Sequence, residues 1–96
     1  MDNATILATI KQAIWSRLPD DSYRVFIFGS RTTGKARQFS DVDIGIVGNR
    51  PLPGYVVEDI RGEIEDSDIP VPVDVVDFSD VSVQFRENAL KNAQPL

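Results

Sequence analysis

Apolar positions along the chain fall into two periods. Ile6, Leu7, Ile10, Ala13, Ile14 and Leu18 recur at helical spacing, with Asp2 or Asn3 placed to cap the start and Pro19 to stop the run. Tyr55, Val56, Val57, Ile60 and Ile64 form a second helical stripe. Glu58, Asp59, Glu63, Glu65 and Asp66 fall mostly outside it, and the acidic stretch to Asp68 reads as a solvated face. Three other runs are short and rich in β-branched and aromatic residues, the mark of strands: Arg24 to Phe28 (RVFIF), Asp41 to Val47 (DVDIGIV) and Ile69 to Phe78 (IPVPVDVVDF). Asn49 to Gly54 (NRPLPG) is a turn-rich connection, and a last helix is predicted from near Asp80, carrying Phe85, Ala89 and Leu90. Helix and strand thus alternate, which argues for an α/β or α+β sheet with helices packed on it.

The chain of 96 residues suits one small domain spanning 1–96, with a modest core. It has no Cys and no His, which excludes disulfides, thiolate chemistry, the usual zinc sites and Ser-His or Cys-His catalysis within the chain. No apolar run approaches the roughly 18–20 residues of a membrane span, and no signal-peptide pattern opens the sequence, so a cytoplasmic location is expected. A net charge of −5 argues against direct nucleic-acid binding, which needs many Lys and Arg. Trp15 and Tyr23 are expected in the core or at its rim.

The acidic balance makes one exception conspicuous. The RVFIF run ends at Gly29, which allows a sharp turn and close approach of a ligand. Ser30 follows with a hydroxyl and an N–H that can both donate to a phosphate oxygen. Arg31, Lys35 and Arg37 then place three of the chain's ten Lys and Arg where a polyphosphate would lie. On the next predicted strand Asp41 and Asp43 share one face, while Val42, Ile44 and Ile46 share the other. Carboxylates roughly 6.5–7 Å apart along a strand can bracket a divalent cation, and the cation relieves their repulsion. Gly45, next on that face, is expected to leave space above the sheet. In the third run Asp74 shares a face with Val76, and Asp77 falls on the Val73 face at the strand's end. Asp74 is therefore the candidate third acid, and Asp77 a strand-end or capping residue and the alternative. A Gly-Ser turn alone is usually just a turn, and a pair of strand acids alone is usually solvated. Together with a third strand acid they suit an enzyme that holds a metal-bound nucleoside triphosphate.

GSRTTGKARQFSDVDIGIV followed by PVDVVD resembles the signature of the DNA polymerase β nucleotidyltransferase superfamily, and within it the minimal nucleotidyltransferases, often encoded beside a HEPN-domain partner. FRENALKNAQPL is similar to that family's closing helix. Thr32-Thr33 departs from the family pattern, where a small residue and a second arginine are common. The resemblance implies a nucleotidyltransferase fold, a mixed β-sheet with helices packed against it. It implies that Gly29, Ser30 and Arg31 hold the triphosphate. Asp41, Asp43 and Asp74 would be catalytic metal ligands for two Mg2+ ions, with Mn2+ able to replace them. It further implies transfer of AMP from ATP to a hydroxyl, a tyrosine first, on a HEPN toxin, with this chain as antitoxin and an oligomer allowed. The alternative within the family is an antitoxin that masks its partner with weak or no catalysis. A third class, an Asp-x-Asp glycosyltransferase, needs a larger sugar-nucleotide domain and leaves Gly29-Ser30 unexplained.

Overall fold

The computed structural model describes residues 1–29 and 41–96. Helix α1 is Asn3–Trp15. The Asp2 carboxylate caps it by accepting from the Thr5 N–H at 2.7 Å, which satisfies one of the donors a helix start leaves open. The helix stops short of Leu18, yet Leu18 still packs on the core, as do Trp15 and Tyr23. Strand β1 is Arg24–Phe28 and strand β2 is Val42–Val47. Helix α2, Gly54–Glu65, leads to strand β3, Val73–Asp77. The third strand starts at Val73 rather than Ile69 because Pro70 and Pro72 lack the N–H a ladder needs.

These strands form a four-stranded mixed sheet in the order β3-β2-β1-β4, where β4 is Gln94–Pro95. β1 pairs antiparallel with β2, and β2 pairs parallel with β3. A parallel pair cannot be closed by a tight turn, and the amphipathic α2 supplies the crossover. A short 3-10 turn, Phe78–Asp80, then leads to helix α3, Val83–Leu90. Ser82 caps α3 by accepting from the Phe85 N–H at 3.1 Å. This helix begins later than Asp80 because Asp77 first caps the 3-10 turn. It ends at Leu90, the last residue of its pattern, and short of the end of the FRENALKNAQPL stretch that resembles the family's closing helix. Gln94 and Pro95 leave it to pair with the free side of β1, an edge position where proline is tolerated.

The two faces of the sheet are built from different residues. Val25, Ile27, Val42, Ile44, Ile46 and Val75 face α1 and α2, meeting Ile6, Ile10, Ile14, Val56, Ile60 and Ile64 in the main core. The opposite face carries a second cluster of Phe26, Phe28 and Phe78, with Val76 and Ala89 packed against it. At the outer edge of β3, Arg61 of α2 donates to the Val75 carbonyl at 2.8 Å and pairs with Glu58 at 2.7 Å. Among the described residues no helix is long and apolar enough to cross a membrane.

Candidate active site

The acids of interest lie on the sheet face opposite α1 and α2. Strand alternation turns Val42, Ile44 and Ile46 into the main core and leaves Asp43 and Gly45 on the other side. The parallel register sets Asp43 directly beside Asp74, and the antiparallel register sets Asp43 opposite Phe28. Two carboxylates far apart in the chain thus become lateral neighbours. Asp74 is exposed at the sheet's edge, while Asp43 is half-buried between β1 and β3.

Gly29 follows Phe28 and turns the chain with φ 83°, in the left-handed region that favours glycine. A Cβ built there would lie 2.3 Å from Oδ2 of Asp43, so the carboxylate rests against the bare backbone of the turn. Any side chain at this position would displace the acid. Glycine here therefore serves both the turn and the closeness of the acid.

Burial raises the Asp43 carboxyl above its ordinary value, and the charges of Asp74 and then Asp41 push it the same way. A nearby cation would act against all three effects. The donors are carboxylate oxygens only, which suits a hard divalent ion. Among the described residues no three acids are drawn together closely enough to cage an ion by themselves. A magnesium-type ion commonly takes one or two protein carboxylates and completes its shell with phosphate oxygens and water, and the Asp43–Asp74 pair fits that pattern.

This geometry revises the expectation for Gly45 and supports the one for Asp77. Asp41 lies one residue before β2 and is exposed, and its charge is among those that raise the Asp43 carboxyl. The space above Gly45 is filled. A Cβ at Gly45 would stand 2.3 Å from Cζ of Phe26 and 2.9 Å from Cε1 of Phe78, because those rings close over the glycine. Asp77 serves structure: it accepts from the Leu52 N–H at 2.8 Å and from the Ser79 N–H and hydroxyl at 3.0 and 2.7 Å. Ser30, Arg31, Lys35 and Arg37 lie outside the described residues. The aromatic floor beside the acids was not read from the sequence. Its signal was available in Phe26 and Phe28, two positions apart in RVFIF and so on one face, the face that Asp43 shares.

Comparison with known proteins places this geometry. The family of polymerase beta nucleotidyltransferases matches residues 18–96. A Haemophilus influenzae protein described as a probable protein adenylyltransferase, MntA, is 37% identical over 81 residues, covering 84% of this chain and 69% of that protein. Among solved structures, a Shewanella oneidensis complex of tri-AMPylated HEPN toxin with MNT antitoxin matches with TM-score 0.71 at 16% identity, over 96% of this chain and 69% of the other. A toxin–antitoxin complex with AMP-PNP matches with TM-score 0.74 at 19% identity, over 92% and 69%. At these identities the likeness to the solved structures is one of fold.

Proposed function

Since the chain belongs to the polymerase beta nucleotidyltransferase family, we propose that it moves AMP from ATP to a hydroxyl side chain of a HEPN partner protein and thereby acts as an antitoxin. The in-register pair of Asp43 and Asp74, with Asp43 seated against the Gly29 turn, is the observation that carries this reading. The HEPN partner and the nucleotide are those of the similar complexes. We take residues 1–96 to work as one nucleotidyltransferase domain, in the cytoplasm where a toxin acting on cellular RNA would be met.

In this proposal Asp43 and Asp74, joined by Asp41, hold divalent metal, taken as two Mg2+ ions with Mn2+ as a substitute. Metal bound there would neutralise charge developing on the leaving pyrophosphate. The backbone at Gly29 lets the triphosphate approach the acids closely, and Ser30 and Arg31 are assigned to its β- and γ-phosphates. The acceptor oxygen bonds to the α-phosphorus. The bond from that phosphorus to the bridging oxygen breaks, and its electron pair leaves with pyrophosphate. Asp74, the more exposed acid, takes the hydroxyl proton. The chain's contribution is positioning and electrostatics, as in phosphoryl transfer generally.

The test is to incubate the chain with the HEPN protein encoded beside it and Mg-ATP, then weigh the intact partner. An AMP-sized increment, lost with Asp43→Asn, is expected. No increment, with toxicity still neutralised by Asp43→Asn, would establish masking in place of transfer.

A further inference from the structure

We propose that the half-exposed ring of Phe85 is the surface on which the base of the nucleotide stacks. This rests on the nucleotide reading above and extends it to a part of the ligand that neither the acids nor the Gly29 turn can hold.

Phe85 begins the inward side of α3. It meets Phe28 edge-on at 6.1 Å between ring centroids and Phe78 at 5.7 Å. Phe28 and Phe78 are themselves buried and in edge contact with each other at 5.1 Å. Ala89, one helical turn on, packs against the same cluster. Val83, two residues earlier and so on the opposite side of the helix, is 72% exposed. Phe85 therefore points inward, yet remains 44% exposed. Phe28, the ring it leans on, is the cross-strand partner of Asp43, so the half-open ring and the acid share one neighbour. Cross-strand side chains lie about 5 Å apart at Cβ, so the sequence along the sheet face is carboxylate, buried ring, half-open ring.

That order matches the order of a nucleoside triphosphate, charged at one end and flat and aromatic at the other. A ring that leans on two others, edge-on to one and tilted to the other, is held in place, and a base stacking on it costs little further ordering. Stacking on an aromatic side chain is tolerant of base identity because every base has a π-face. The subsite therefore supplies affinity for nucleosides as a class and only weak choice between ATP and GTP.

The experiment measures binding of Mg-ATP and of magnesium tripolyphosphate to the whole chain by calorimetry, for the native protein and for Phe85→Leu, Phe85→Ala and Phe85→Trp. Tripolyphosphate has the charge but no base. Phe85→Leu keeps apolar contact with Phe28 and removes the flat ring, so it separates stacking from folding. Loss of one stacked base is expected to weaken Mg-ATP roughly tenfold or more in Phe85→Leu and Phe85→Ala. Tripolyphosphate binding should be unchanged, and Phe85→Trp should retain ATP. Native affinity of Phe85→Leu for ATP overturns the subsite. So does equal loss of ATP and tripolyphosphate, which would make the ring a structural prop. Retained ATP binding with loss of the HEPN partner would assign Phe85 to the protein contact instead. Failure of the native chain to bind either ligand removes the nucleotide reading, and the subsite with it.

Discussion

The two faces of the sheet obey different rules. Toward α1 and α2 the strands present aliphatic side chains, with Asp77 at the end of β3 as the exception, and Val42, Ile44, Ile46 and Val75 are completely buried. Toward the other side the same strands present two acids, a glycine and aromatic rings, and this face is only partly covered by the small α3, which buries none of its own residues. Period-two alternation makes the division possible, since each strand feeds both faces with alternate residues. Stability is concentrated on one side, and the other is left able to carry charges that a compact core would reject. The Asp43 carboxyl, raised by burial and by its acidic neighbours, is a cost that the aliphatic face offsets.

Three substitutions test that division, in order of expected effect. Asp43→Asn should lower AMP transfer by about a thousandfold or more, equivalent to about 4 kcal/mol of transition-state stabilisation, as read from the rate of partner modification. The metal-free fold should be as stable as before or more so, and Mg-ATP should no longer raise its melting temperature. The pH dependence follows from the sign of the shift. A carboxyl whose folded-state pKa lies above its ordinary 3.8 destabilises the folded form once ionised. The native metal-free protein should therefore gain stability from this group as pH falls through the raised value, and the advantage of Asp43→Asn should vanish over the same window. An Asp43→Asn protein less stable than the native one at neutral pH would break the comparison.

Ile44→Ala, one residue away on the other face, should do the reverse. Removing a buried isoleucine costs about 2–5 kcal/mol, which for a chain of this size lowers the melting temperature by roughly 10–30 °C. Transfer by the fraction still folded should persist, measured well below the transition. Gly45→Ala should cost least, about 1–3 kcal/mol in urea denaturation, because its added methyl meets Phe26 and Phe78 and forces the rings aside. A neutral Gly45→Ala would mean that the open face is packed more loosely than the aliphatic one even under the rings.

The elements that periodicity made legible are those whose burial is one-sided. RVFIF is β1 to the residue, and the stripe from Tyr55 to Ile64 lies within α2, because long apolar patterns leave little choice. The Asp74 face and the capping use of Asp77 were legible for the same reason. β4 was not: two residues, one of them proline, carry no pattern, and their strand identity comes wholly from the free edge of β1. The role of Gly45 was misread because strand alternation gives the direction a side chain would take but not what fills it from a neighbouring strand. Phe85 was legible as a helix residue, whereas its place against Phe28 depends on how α3 folds back over the sheet.

The register between Asp43 and Asp74 also has a consequence for the life of the chain. Their strands are joined through the whole of α2, so the acid pair comes into being only when the crossover has closed and β3 has docked. A chain still emerging from the ribosome, or one clipped before β3, holds Asp43 without its neighbour. If the acid pair holds nucleotide as proposed, nucleotide capture would certify completed synthesis and folding. A ligand that recognises only the finished sheet also protects it by mass action, so cellular ATP would favour the survival of intact copies over damaged ones.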